Sequence, residues 1–334
     1  MKVAVLGAGG WGTTLAILLN RNGHNVTLWE YFPEYAETLN EYRENFYYLP
    51  KVRIPKSIQI TNDLEFAVSK KEILLITTPT QFIRESFSLL RNFDFGDAIV
   101  ISASKGIENH SLMLVSDIIL DIFKKVKKNR IASLSGPSHA EEVSRRIPTA
   151  VVCASSNIDV SKLSQRIFAN NYFRVYTSTD LVGTEIGGAL KNVIAIATGI
   201  SEGAGFGDNS KAALMTRGIN EIMKLGLKLK AKKETFFGLS GIGDLIVTCS
   251  SQYSRNRYVG VKVGSGKKLK TVLKGMKMVA EGVSTTKSAY ELSKRFNTEM
   301  PIINQIHLIL FKDKSPYLAV KNLMHRSLKH EHDL

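Results

Sequence analysis

Short apolar runs and stretches of helical spacing alternate through the first half of this chain. The runs fall at residues 1–6, 26–29, 58–60, 73–77, 98–102, 130–134, 150–154 and 173–176. Apolar residues on consecutive positions suit strands covered on both faces. Helical spacing at 34–44, 81–90 and 112–125 separates several of the runs. Strands alternating with helices predict a parallel, doubly wound sheet. From about Asp180 the strand pattern stops, and long helices are expected over 181–202, 210–225, 284–296 and 301–311, joined by glycine-rich loops. The expected fold is α/β, with a doubly wound domain over 1–177 and an all-α domain over 178–334.

The first thirty residues carry the clearest chemistry. An apolar run leads into Gly7-Ala8-Gly9-Gly10-Trp11-Gly12, helical spacing follows, and the second run ends on the acid Glu30. This is the dinucleotide fingerprint in its required context of strand, helix, strand and acid. Gly7 permits a tight turn, Gly9 lets the backbone approach a pyrophosphate, and Gly12 lets helix and strand pack closely. The N-terminus of the new helix then receives the phosphate charge. Glu30 is placed to accept hydrogen bonds from ribose hydroxyls and to repel a 2′-phosphate, or else is a solvated strand end. Tyr31, Phe32 and Pro33 bring no cation to such a phosphate, so NAD is favoured, with NADP possible.

A length of 334 residues exceeds what one core usually supports, which agrees with two domains. No apolar run reaches the roughly 20 residues of a membrane helix, so no integral membrane association is expected. Lys2 before an apolar stretch resembles a signal peptide only superficially, because four glycines and Trp11 interrupt that stretch. Cys153 and Cys249 read as reduced thiols of a cytoplasmic enzyme. The net charge of +15 gathers at 124–130, 224–233 and 262–274. It suits a solvated surface, attraction of small anions, or nucleic-acid binding. No aromatic residues interleave with those clusters as a single-strand platform requires, so no nucleic-acid partner is expected. His325, His330 and His332 near the C-terminus read as a solvated tail, and no metal site is expected.

Ligands of open parallel sheets bind beyond the carboxyl ends of the strands. After the run at 73–77, Pro79 either turns the chain over a cofactor's nicotinamide side or only punctuates a loop, and Phe82 either reaches that cofactor or joins the core. After 98–102 stands Lys105 beside Gly106, either a phosphate or carbonyl ligand or an exposed loop lysine. After 130–134, Ser138 and Glu141 have the spacing of a capping box, and the same loop offers the Gly136 N–H and the Ser138 hydroxyl to an anion. Farther on, Lys191 lies one turn beyond Gly187 and Gly188, where its side chain leans over two positions without side chains. Glycine weakens a helix by up to ~1 kcal/mol, so the pair implies close approach of a ligand or of another element. A buried lysine there is a candidate acid or base. Asp244 heads an apolar helical run and suits capping or catalysis. The loop Ser254-Arg255-Asn256-Arg257 combines a forked guanidinium, a hydroxyl and an amide, a set suited to phosphate. Glu281 is a ribose ligand or a first-turn acid.

Nine segments, in order, resemble the bacterial NAD(P)-dependent sn-glycerol-3-phosphate dehydrogenases along nearly the whole chain. They are Gly-Ala-Gly-Gly-Trp-Gly, Ser-Lys-Gly-Ile-Glu, Ser-Gly-Pro-Ser-His-Ala-Glu-Glu, Gly-Gly-Ala-Leu-Lys-Asn-Val, Gly-Phe-Gly-Asp-Asn, Thr-Arg-Gly, Gly-Asp-Leu-Ile-Val-Thr-Cys, Ser-Arg-Asn-Arg and Val-Ala-Glu-Gly-Val. The resemblance implies a Rossmann domain before an all-helical domain, and a cytoplasmic homodimer. It implies reversible hydride transfer between NAD(P)H and dihydroxyacetone phosphate, giving sn-glycerol 3-phosphate for phospholipid synthesis. Lys191 matches the proton-transfer lysine, with Asn192 and Asp244 near it. Lys105, Gly136, Ser138, Ser254, Arg255 and Asn256 match substrate contacts. Gly10, Trp11, Lys105, Ala140, Arg255, Val279 and Glu281 match cofactor contacts. Many relatives carry a basic residue just after the second strand; this chain has Glu30-Tyr31, which favours NAD. The alternatives are a dehydrogenase of β-hydroxyacids, which needs a carboxylate site instead of the phosphate set, and a non-catalytic NAD-binding regulator.

Overall fold

The computed structural model describes residues 1–328, 330 and 331. The chain divides into two compact units, Met1–Lys105 with Met113–Leu181, and Gly106–Leu112 with Val182–Leu334.

The first unit holds the strands β1 (Lys2–Leu6), β2 (Asn25–Trp29), β3 (Glu44–Asn45), β4 (Leu49–Arg53), β5 (Gln59–Thr61), β6 (Ile73–Ile76), β7 (Ile99–Ser102), β8 (Ile131–Ser135), β9 (Thr149–Ala154) and β10 (Phe173–Ser178). Eight form one sheet in the order β10-β9-β8-β7-β6-β1-β2-β5, and β3 pairs with β4 in a separate hairpin. β1 pairs in parallel with β2 on one side and β6 on the other, so the sheet's winding reverses there. A crevice for ligands opens at such a reversal. Successive residues of these strands enter opposite cores. Val3, Val5, Ile73, Leu75, Ile99 and Ile101 belong to one buried cluster. Ala4, Leu6, Leu74, Ile76 and Val100 belong to the other. Burial on both sides is why the strands read as unbroken apolar runs.

Three local features depart from the pattern read in the sequence. β8 and β9 pair antiparallel, because the link between them carries only the five-residue helix Ala140–Ser144 and returns the chain at the same end of the sheet. The stretch 81–90 is not one helix; it breaks into single turns at Thr80–Phe82, Ile83–Phe87 and Ser88–Leu90, and Leu89 is exposed. The β3–β4 hairpin and the helix Ile158–Phe168 were not anticipated. A two-residue strand has no periodicity to read, and β4 contains Pro50.

The second unit is built of helices: Leu181–Gly203, Asp208–Lys228, Asp244–Ser250, Arg255–Gly264, Leu269–Lys274, Glu281–Arg295, Pro301–Lys312 and Pro316–Met324. One crossing sets its interior. A Cβ at Gly199 or Gly203 would lie 2.2 or 2.1 Å from the carbonyls of Arg257 and Val261. Conversely, a Cβ at Gly260 or Gly264 would lie 2.3 Å from the carbonyls of Ile196 and Ile200. The two helices therefore touch backbone to backbone, and a fork from Arg257 to Glu202 (Nε 3.0 Å, Nη2 2.5 Å) closes one side. Elsewhere the buried Glu221 carboxyl group accepts from the backbone N–H groups of Ile302 and Ile303 (2.7 and 3.1 Å), satisfying two orphan donors of the helix Pro301–Lys312.

Cys153 and Cys249 are buried and unpaired, and burial pushes their thiols up to about 12 and about 11. Among the described residues no helix is long and apolar enough to cross a membrane, and no three metal-ligating side chains gather. His332 of the histidine tail lies outside the described residues.

Candidate active site

In the first unit the glycine-rich turn sits at the carboxyl end of β1. Gly7 takes φ +118°, and a Cβ at Gly12 would fall 1.9 Å from the Gly7 carbonyl, so both positions exclude a side chain. The helix Gly10–Arg21 starts with no side-chain cap on its first N–H groups, and a Cβ at Gly9 would meet nothing within 4 Å. That combination fits a pyrophosphate: open space beside the turn, and uncapped donors at a helix N-terminus. Gly10 is shaped differently, since a Cβ there would strike the Tyr48 carbonyl at 2.5 Å. Trp11 packs against the core. Ala140 lies beside Gly10, and its carbonyl accepts from Thr14 Oγ1 at 3.3 Å.

Glu30 follows β2 and is 6% exposed. Burial raises its carboxyl above the usual range, while the N–H groups of Phe32, Tyr31 and Ala8 pull the other way. Tyr31 is about half exposed and meets Trp29 and Phe32 edge-on. Phe82 is 48% exposed, which removes the core as an account of it. Lys105 Nζ donates to the Gly136 carbonyl at 3.1 Å, and the Ser138 hydroxyl donates to the same oxygen at 2.9 Å. The expected capping box is absent. The helix begins at Ala140 behind His139, which leaves Ser138 one residue too early to cap it, and the hydroxyl turns back to Gly136.

The second unit gathers the rest. Lys191 and Asp244 are 6% and 1% exposed. Lys191 Nζ donates to Asp244 Oδ1 at 2.5 Å and to Thr248 Oγ1 at 2.8 Å. Asp244 and Thr248 stand one turn apart on the same helix, so they hold the ammonium from one side. The Thr248 hydroxyl donates to the Asp244 carbonyl at 2.6 Å, which turns a lone pair to the lysine. A buried carboxylate this close favours the ammonium form of Lys191. Gly187 is explained by packing: a Cβ there would lie 2.5 Å from the Ser240 carbonyl, so the segment before Asp244 seats against the Lys191 helix.

Asn192 and Asn256 join their helices through one hydrogen bond between their side-chain amides, Asn256 Nδ2 donating to Asn192 Oδ1 at 2.9 Å. Asn256 Oδ1 also accepts from the Gly282 N–H at 2.9 Å, which brings in the helix that Glu281 begins. The segment 254–257, expected as a loop, is a helix start. Buried Ser254 caps it by accepting from the Arg257 N–H at 3.2 Å, and Arg255 projects exposed from the first turn. Val279 is 40% exposed just before Ala280 caps the Glu281 helix. Lys191, Asn192, Asp244, Asn256 and the start of the Glu281 helix are thus tied together within this unit. Thr248 was missed in the sequence, although its spacing from Asp244 places both on one helix face.

A doubly wound sheet with an uncapped glycine-rich turn, and a helical unit with a buried lysine–carboxylate pair, define the nucleotide-dependent oxidoreductase class. The finer family follows from comparison. Residues 2–161 match the N-terminal family, and 180–321 the C-terminal family, of NAD-dependent glycerol-3-phosphate dehydrogenase. A relative from Thermoanaerobacter sp. named glycerol-3-phosphate dehydrogenase (NAD(P)+) is 50% identical over 331 residues, 99% of each chain. One of the same name from Syntrophotalea carbinolica is 47% identical over 333 residues, 100% of each. The crystal structure of glycerol-3-phosphate dehydrogenase from Coxiella burnetii superposes with a TM-score of 0.93 at 35% identity, covering 97% of this chain and 99% of that one. The chain belongs to the NAD-dependent glycerol-3-phosphate dehydrogenase family, NAD(P)-dependent oxidoreductases acting on CH–OH groups.

Proposed function

We propose that the protein interconverts dihydroxyacetone phosphate and sn-glycerol 3-phosphate, and that Lys191 is its proton-transfer residue. The observation that carries this reading is the buried Lys191 ammonium, fixed by Asp244 and Thr248, in a chain whose other unit holds the dinucleotide turn. A bound reduced dinucleotide supplies the hydride that reaches C2. Lys191 then stabilises the negative charge appearing on the C2 oxygen and delivers its proton there. Asp244 keeps the lysine charged before transfer and orients it throughout. In the oxidative direction Lys191 has to lose its proton first, so this direction gains as pH rises.

The remaining assignments rest on chemistry and on the resemblance. Gly7, Gly9, Gly10, Trp11, Gly12 and Ala140 form the cofactor's phosphate cradle, and Glu30 with Tyr31 takes the adenosine ribose. Phe82, Lys105, Arg255, Val279 and Glu281 complete the cofactor set. Lys105, Gly136, Ser138, Ser254, Arg255 and Asn256 serve the phosphorylated substrate, with Arg255 supplying a guanidinium fork able to bind phosphate oxygens in pairs. Asn256 spends its carboxamide on Asn192 and Gly282, which suits a group that positions its neighbours. We further propose a cytoplasmic homodimer whose product supplies the backbone of phospholipids.

The test is oxidation of NADH, and separately NADPH, with dihydroxyacetone phosphate, for the parent and for Lys191→Ala. Turnover is expected for the parent only, with NADH affinity nearly unchanged in the variant. Normal turnover by Lys191→Ala removes the lysine from the mechanism. Activity on β-hydroxyacids but not on the phosphorylated ketone overturns the substrate assignment.

A further inference from the structure

The β3–β4 hairpin is the element of the first unit for which the sequence offered no role, and it presses on the glycine-rich turn. Asn45, at the end of β3, is 0% exposed and uses both ends of its carboxamide. Nδ2 donates to the Ala8 carbonyl and to Thr13 Oγ1, each at 2.7 Å. Oδ1 accepts from the Tyr35 hydroxyl at 2.6 Å and from the Tyr48 N–H at 3.1 Å. Two donors and two acceptors on one short, neutral, planar group are what an amide supplies and a carboxylate or hydroxyl does not.

We infer that Asn45 is a positioning residue of the dinucleotide site: it sets the glycine-rich turn from the hairpin side, so that the turn's N–H groups are aimed before the cofactor arrives. The inference rests on the cofactor reading above. Ala8 is the residue between Gly7 and Gly9, and Thr13 begins the hydrogen-bond ladder of the helix by donating its N–H to Gly9 O at 2.9 Å. Fixing Ala8 O and Thr13 Oγ1 therefore fixes the backbone on both sides of Gly9, the glycine with open space beside it. A second contact acts in the same sense, since the Tyr48 carbonyl occupies the place a side chain on Gly10 would need. The hairpin is itself braced. Tyr35 stacks on Tyr47 at 5.2 Å and meets Tyr48 edge-on at 5.8 Å. The contact that fixes the turn is thus a side-chain amide from a strand too short to be read in the sequence.

The experiment measures NADH binding by fluorescence, and steady-state kinetics, for the parent, Asn45→Asp, Tyr35→Phe and Thr13→Val. Asn45→Asp keeps the shape and the acceptors on the Tyr35 side but takes away the Nδ2 donor to Ala8 O and to Thr13 Oγ1. It is expected to weaken NADH binding about tenfold or more, with KM for NADH rising more than kcat falls. Tyr35→Phe removes the donor to Asn45 Oδ1 and the acceptor for the Tyr47 N–H, both on the hairpin side, and is expected to weaken binding less than Asn45→Asp. A purely structural role lowers melting temperature and active fraction but leaves KM for NADH where it was, and that result overturns the inference. Should Asn45→Asp fail to fold, Thr13→Val decides, because it deletes the hydroxyl that accepts from Asn45 and itself donates to Ala8 O at 3.3 Å; unchanged NADH affinity there also overturns it. If the parent itself binds no NADH, the cofactor reading fails rather than the role of Asn45.

Discussion

Removing either member of the Lys191–Asp244 pair strands a charge in the protein interior. The side chains of Lys191 and Asp244 are 8% and 1% exposed. In Asp244→Ala the ammonium keeps Thr248 Oγ1 but loses its counter-ion, and in Lys191→Met the carboxylate loses the cation at 2.5 Å. Breaking a buried pair this way costs about 3–5 kcal/mol, because the remaining ion is neither hydrated nor matched. Removing both charges together, in Lys191→Met/Asp244→Leu, takes the desolvation penalty away with the attraction, so the double variant is expected within a few kcal/mol of the parent on either side. The single effects are then strongly non-additive.

Denaturant unfolding followed by far-UV circular dichroism reads the loss of helix across the chain, the long Lys191 helix included. Trp11 and Trp29, the chain's two tryptophans, both lie in the first unit, so their fluorescence tracks that unit separately. All three variants are expected to lack turnover, and only the singles to unfold early in the dichroism signal. A double variant destabilised by the sum of the singles refutes the argument, since it means the two side chains contribute packing and not charge.

Three further outcomes follow. Glu30→Ala with Tyr31→Arg is expected to shift the NADPH/NADH ratio of kcat/KM toward NADPH, by removing the repelling carboxylate and adding a phosphate partner; an unchanged ratio rejects the ribose assignment. Burial pushes the Glu221 carboxyl from an ordinary 4.5 to about 8, so between these values the folded state holds a proton that the unfolded chain has lost, and stability falls as pH rises. Relative to Glu221→Gln, the parent is expected to lose up to a few kcal/mol from pH 5 to 8 in urea titrations, whereas parallel profiles show that Glu221 does not titrate there. Gly260→Ala, which puts a methyl 2.3 Å from the Ile196 carbonyl, is expected to cost more than about 1–3 kcal/mol, because backbone cannot yield as a side chain can. A melting temperature equal to the parent's contradicts the backbone contact.

The sheet was legible because both its faces are buried, so β1, β6 and β7 spell themselves as apolar runs without needing any partner to be known. The burial of Lys191 was legible in part, because Gly187 and Gly188, one turn before it, signalled a close approach on that face. What stayed hidden depends on contacts between distant segments. Ser138 and Glu141 had the spacing of a cap, but where the helix starts is decided by tertiary structure, and it starts at Ala140. Asn45 looks like an ordinary surface polar residue, and Asn256 reads in the sequence as part of a phosphate-binding loop; only their burial at 0% and 8%, with the bonds they make, shows that each bridges separate elements. Gly187 signalled close approach without saying of what, and the neighbour is the Ser240 carbonyl.

The crossing of Leu181–Gly203 with Arg255–Gly264 has a bearing on how such an enzyme can change. Where two main chains meet with no side chain between them, their spacing is a property of peptide geometry, indifferent to which apolar residues fill the surrounding interior. Drift elsewhere in the helical unit can then proceed without moving Asn192 relative to Asn256, while Gly199, Gly203, Gly260 and Gly264 admit no larger residue. Sequence variation thus has room in the side chains around this crossing, and almost none along it.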